Sequence, residues 1–137
     1  MRKLIYLVAL LAALAPNARA GIVIPAGGGP LMATFDFIGT PGASQKEAFT
    51  CVYPVTVPTN FLLPTSQVTC GSNPSEQDIY TVKINGATVG TITLSTSCGV
   101  TLGTATATTC AIGQRFEIDA PGTVSGADIA FGIGISR

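Results

Sequence analysis

Asn85-Gly86 stands between two runs of strand character, with Tyr80, Val82 and Ile84 alternating before it and the β-branched stretch 89–94 after it. Asn-Gly readily accepts the two positive φ angles of a type I′ turn, so this pattern predicts a β-hairpin. The same period of two recurs along the chain. Ala33, Phe35 and Phe37 alternate with Thr34 and Asp36, and Glu47, Phe49, Cys51 and Tyr53 with Ala48, Thr50 and Val52. Phe116 and Ile118 alternate with Arg115, Glu117 and Asp119. Near the end, Ile129, Phe131, Ile133 and Ile135 share one face, and Ala130, Gly132, Gly134 and Ser136 form a second face that admits another backbone closely. No helix of useful length is expected after residue 20. Seven or eight short strands with frequent turns imply an all-β fold, a single antiparallel β-sandwich of immunoglobulin-like or jelly-roll type.

Between these runs lie breakers. Gly39-Thr40-Pro41-Gly42 is turn chemistry. Pro54, Pro58 and Pro64 lack ladder donors, which confines their segment to an edge strand, a corner or a loop, with Phe61, Leu62 and Leu63 plugging the core. Residues 66–77 are polar and carry Gly71, Asn73 and Pro74, the composition of an exposed loop. Residues 100–111 are rich in threonine, alanine and glycine and predict only short extended pieces.

The N-terminus has a cationic head, Met1-Arg2-Lys3, an apolar run over residues 4–14 and a small-residue exit, Ala18-Arg19-Ala20. That is the form of a secretory signal peptide, and its apolar run is shorter than the roughly 20 residues a spanning helix needs. Cleavage after Ala20 is expected, giving residues 1–20 as signal, 21–30 as a flexible apolar, glycine-rich arm and 31–137 as the β-sandwich domain. The processed chain is exported to periplasm, cell surface or medium, without stable membrane insertion. It keeps Lys46, Lys83, Arg115 and Arg137 against seven acids, a net charge of −3. A mildly acidic surface without a basic cluster offers no grip on phosphate, which argues against nucleic acid as a partner.

Cys51, Cys70, Cys98 and Cys110 fit two structural disulfides in an exported domain. Pairing of neighbours, Cys51 with Cys70 and Cys98 with Cys110, is the simplest of three possible connectivities. No C-x-x-C spacing marks a redox or zinc site, and residue 21 is not the cysteine of a lipoprotein.

The chain has no histidine, which excludes triads with a histidine base and zinc sites with histidine ligands. Carboxylate chemistry survives. Glu117 and Asp119 share a strand face at a separation open to a glycosidase pair, although any solvent-facing strand produces the same spacing. Asp119 and Asp128 flank residues 120–127 and, with carbonyls, form a candidate calcium site, without the D-x-D-x-D-G run of a dedicated loop. Tyr53 and Tyr80 are candidate sugar-stacking platforms, set against core packing with the hydroxyl at the rim. No catalytic residue and no cofactor is assigned.

The order of several pieces carries a resemblance. Gly39-Thr40-Pro41-Gly42-Ala43-Ser44-Gln45, Val57-Pro58-Thr59-Asn60-Phe61, Asn85-Gly86 with Val89-Gly90-Thr91-Ile92, Gly113-Gln114, Ala120-Pro121 and Ala127-Asp128-Ile129 follow one another. The chain from Phe35 to Arg137 thus resembles a β-rich module of tail-fibre and related structural proteins of tailed phages and prophages. Its pieces there read G-x-P-x-A-S-Q, F-P-x-N-L, N-G-x-x-x-G-T-I, G-D, A-P and A-D-I. The signal peptide, the four cysteines and Gln114 in place of aspartate are departures. The resemblance implies a non-catalytic β-sandwich for fibre architecture or surface contact and transfers no site residues.

The expected function is therefore binding of a cell-surface glycan or protein, or fibre architecture, with loops 65–77 and 96–110 as recognition elements. Alternatives are a homo-oligomeric structural subunit whose residues 21–24 add as a strand to a neighbour, and a small glycosidase using Glu117 and Asp119.

Overall fold

The computed structural model describes residues 18–23, 31–61, 67–103 and 105–137. Residues 1–17 of the segment read as a signal peptide, the glycine-rich part of the expected arm, Leu62 and Leu63 lie outside the described residues. Eleven strands are present among those described: β1 (Ala18–Val23), β2 (Leu31–Phe37), β3 (Lys46–Thr50), β4 (Val55–Val57), β5 (Gln67–Ser72), β6 (Asp78–Ile84), β7 (Ala87–Leu94), β8 (Val100–Leu102), β9 (Thr108–Cys110), β10 (Arg115–Asp119) and β11 (Ala127–Ile135). One 3-10 turn at Thr59–Phe61 is the sole helical segment among them.

The strands build an antiparallel sandwich. One sheet has the order β1-β2-β11-β5, the other β3-β10-β6-β7-β8, and β4 pairs with β9 in a short ribbon. The ribbon joins the end of the first sheet where Thr56 bridges Ser136. The expected hairpin is β6–β7, with Ile84 opposite Ala87 and Asn85 and Gly86 at φ 49° and 81°. A bulge follows, since Val82 pairs with Gly90 but Lys83 with Thr88. The carbonyl of the extra residue, Val89, accepts the amide of Thr106 and so anchors the segment before β9.

Alternation places the core between the sheets. Phe35, Phe37, Phe131 and Ile133 point in from one sheet and Tyr80, Val82, Phe116 and Ile118 from the other, all essentially without solvent contact. Aromatic rings join the two layers: Phe35 meets Phe116 at 5.2 Å and Phe49 at 5.5 Å, and Tyr80 meets Phe131 at 4.7 Å. Edge-to-face and tilted contacts at these separations add to area burial. Phe61 is buried beside this core, as its sequence position predicted.

Two expectations are corrected. Residues 67–72 are not loop but β5, an edge strand on β11, whose Val68 and Cys70 face inward while Thr69 and Gly71 are exposed. Two inward residues are too few to write a visible alternation. The disulfides are Cys51–Cys110 and Cys70–Cys98, not the neighbouring pairs. Strand β4 carries the chain away from Cys51 to pair with β9, so that Val55 lies opposite Cys110 and returns that cysteine to Cys51. The bonds close separations of 59 and 28 residues. In the chain-entropy picture loops of that size contribute about 4 and about 3.5 kcal/mol, more than the short loops of neighbouring pairs.

Strand β1 pairs with β2 from Ala18 opposite Phe37 to Val23 opposite Met32. It takes in the last three residues of the segment read as signal and the first three of the arm, and Ala20 and Ile22 pack against the core. The small-residue face of β11 is filled at one point from within the sheet: a Cβ on Gly132 would stand 2.6 Å from the Met32 sulfur.

Candidate functional site

Glu117 and Asp119 project from β10 on the outer face of the five-stranded sheet, because Phe116 and Ile118 take the inner positions. Their register partners on that face are Ala48 and Lys46 of β3 and Lys83 and Thr81 of β6. A cluster of five charges results. Asp119 Oδ2 accepts Lys83 Nζ at 2.6 Å and lies 3.2 Å from Lys46 Nζ. Glu117 Oε2 is 2.9 Å from Arg115 Nε, and its Oε1 is 3.7 Å from Lys46. The hydrogen bond to Asp119 holds the Lys83 ammonium above the usual lysine range. The solvated face expected for these acids is corrected: Glu117 is 6% and Asp119 9% exposed, and Asp119 Oδ1 is buried without a partner among the described residues.

The candidate platforms part company. Tyr80 is wholly buried between Phe37 and Phe131, so its ring meets no ligand, and its hydroxyl finds no partner among the described residues. Burial, with the charge of Asp78 nearby, pushes the phenol well above its usual range. Tyr53 is half-buried at the sandwich end, and the Arg137 guanidinium covers its ring at 4.5 Å.

Asp119 and Asp128 stand on different sheets with different partners. Asp128 Oδ1 accepts the Gly39 amide at 2.7 Å, while its own amide donates to the Gly39 carbonyl. Gly71 is required beside it, since a Cβ there would stand 2.6 Å from the Asp128 Cβ. In the loop between the two acids the Pro121 carbonyl accepts the Ser44 amide, and the Ser125 and Gly126 N–H groups donate to the carboxylate of Asp78, at 3.2 and 3.3 Å. The Ser125–Gly126 end of the loop thus holds an anion, and the two acids offered as calcium ligands are engaged apart from it and from each other. No group of three His, Cys, Asp or Glu residues arranged for a metal exists among the described residues. Asp78, 2% exposed, was not singled out by sequence reasoning; an acid opening a strand opposite a Ser-Gly turn was the available signal.

Glu47 is the remaining buried acid, on the inner face opposite Ile118 and 4% exposed. Burial pushes its carboxyl up, against the hydrogen bond from Gln45 Nε2 at 2.9 Å, with Asp36 adding to the rise.

The two ends of the sandwich differ. At one end lie the turns at 51–54, 85–86 and 111–114, where the Asn85 amide donates to the Arg115 carbonyl and the Arg137 guanidinium covers Tyr53. Val52 and Ile112 stand out of these turns, 72% and 68% exposed. Hydrogen bonds between Cys51 and the 113–114 turn, beside the Cys51–Cys110 bond, hold the two tips together. At the other end, Asp36, Glu76 and Asp128 reach solvent, and a hollow of about 280 Å³ is lined by Asp36, Phe37, Ile38, Asp128, Ile129 and Ala130. Comparison with known proteins adds no relative: no protein family, curated protein or solved structure matches the chain.

Proposed function

We propose that the chain is an exported, disulfide-stapled β-sandwich that works by surface contact, as an adhesion or fibre-architecture module, and not by catalysis. The observation that carries this reading is the engagement of its acids: Glu117 and Asp119 are tied to Lys46, Lys83 and Arg115, and Asp78 to the amides of Ser125 and Gly126. Carboxylates held this way stiffen a scaffold. Two disulfides support an oxidising compartment beyond the cytoplasm. The resemblance to phage tail-fibre modules and the threonine-, serine- and glycine-rich surface favour a glycan or a protein of a cell surface as partner.

Turns 73–77 and 95–99 are the recognition elements of this reading. They flank the Cys70–Cys98 bond, which ties the β5 edge of one sheet to the β7–β8 turn of the other. Replacing residues 73–77, 95–97 and 99 by glycine-serine of equal length, with Cys98 and its bond to Cys70 kept, is expected to abolish binding to cells or to a glycan array while near-ultraviolet circular dichroism is kept. Unchanged binding sinks the assignment.

One observation favours strand donation as a second reading. The expected cleavage point lies inside β1, so processing after Ala20 leaves residues 21–23 opposite Met32, Ala33 and Thr34 and removes the outer partner of Phe35, Asp36 and Phe37, which stay paired with β11. Such an edge accepts a strand from a neighbour. Deleting residues 21–29 then shrinks the oligomer; an unchanged size rejects the arm as the joint.

A further inference from the structure

We propose that the two ends of the sandwich are complementary and that processed copies stack head to tail, the Val52 and Ile112 tips of one entering the acidic hollow of the next. The inference rests on the surface-contact reading and names its partner: a second copy of this chain.

The first argument is shape and polarity. Val52 and Ile112 are the two most exposed large apolar side chains among the described residues, and both belong to turns braced by the Cys51–Cys110 bond. A braced tip loses little conformational freedom on docking. The hollow at the opposite end lies between Asp36 and Asp128 and offers Ile38, 51% exposed, and the half-buried Ala130, while Phe37 and Ile129 beneath it belong to the core.

The second argument is charge. Arg137 lies beside the tips, with Arg115 there paired to Glu117, and the acids Asp36, Glu76 and Asp128 lie at the hollow end, with Lys46 there paired to Asp119. In the unprocessed chain Arg19 is the register partner of Asp36, so cleavage after Ala20 removes a cation from the hollow end and sharpens the contrast. Opposite charges at opposite poles steer copies into one polarity and disfavour like ends meeting. A tip on one pole and its receptor on the other make a heterologous contact, which propagates as an open series instead of closing at a dimer.

Sedimentation velocity on the exported, non-reduced protein tests this. The expected result is a concentration-dependent ladder beyond dimer, weakened by salt. Val52→Asp with Ile112→Asp is expected to weaken it at least about tenfold; both sites are exposed, and circular dichroism confirms the fold. Arg137→Glu alone and Asp36→Lys alone are each expected to weaken it, and a 1:1 mixture of these two variants to restore it, because each altered end then meets an altered partner. Association that stops at dimer, ignores the tips or is not restored in the mixture overturns the proposal. So does a monomer at about 1 mM, where even a weak contact is populated. A monomer that still binds cells or glycans overturns stacking alone; one that binds nothing overturns the surface-contact reading with it.

Discussion

Cys70, on the outermost strand of the four-stranded sheet, is bonded to Cys98 in the turn between the last two strands of the five-stranded sheet. That bond closes one side of the sandwich covalently. The opposite side has no disulfide among the described residues and is closed by packing of β1 and β2 beside β3, with Phe35 against Phe49. The two edges therefore have unequal strength, and the weaker one contains the expected processing site.

Replacing Cys70 and Cys98 together by serine is expected to cost about 3.5 kcal/mol of unfolding free energy, read by urea titration, with the β5 amides exchanging first. A cost below about 1 kcal/mol would mean the bond is not what closes that side.

Glu47 gives the fold a pH dependence of defined sign. Its carboxyl is raised in the folded state relative to the unfolded chain, so the folded state holds the proton more tightly. Stability falls as pH rises from about 4.5 through the folded value and is level beyond it. Glu47→Gln keeps an acceptor for Gln45 and removes the charge, so thermal melts are expected to show a larger gain at pH 7 than at pH 4. An equal gain at both contradicts the assignment.

Tyr80 carries a buried hydroxyl without a partner among the described residues. Tyr80→Phe removes the orphan and keeps the ring against Phe37 and Phe131, so stability is expected to hold or rise by up to about 1 kcal/mol. A loss above about 1 kcal/mol would reveal a hydrogen bond. Tyr80→Ala, which empties the space, is expected to cost about 3–5 kcal/mol.

Asp78→Ala leaves the Ser125 and Gly126 amides without their acceptor and is expected to cost about 2–3 kcal/mol. Asp78→Asn retains one carbonyl oxygen and loses less. If both variants melt with the wild type, the carboxylate does not hold the loop ahead of β11.

What the sequence disclosed follows the range of the forces involved. The Asn85-Gly86 hairpin was legible because turn chemistry and alternation are local, and the alternating runs located β2, β3, β10 and β11 for the same reason. The disulfides were not, since their pairing depends on β4 finding β9 across about 50 residues. Glu117 and Asp119 were read as solvated because alternation tells the outer face from the inner one but not which cations settle on it. Lys46 and Lys83 arrive from two other strands. Tyr80 shows the converse: its strand face was legible, and the loss of any outlet for its hydroxyl was not.

The central claim is that this scaffold acts by contact and that its acids are structural. It is tested most directly by titrating fluorescently labelled, non-reduced protein onto intact cells and a glycan array, alongside the Glu117→Gln/Asp119→Asn variant, with glycan hydrolysis followed in the same samples. The account predicts saturable binding by both proteins and no hydrolysis by either. Hydrolysis by the wild type that disappears in the folded variant would contradict it.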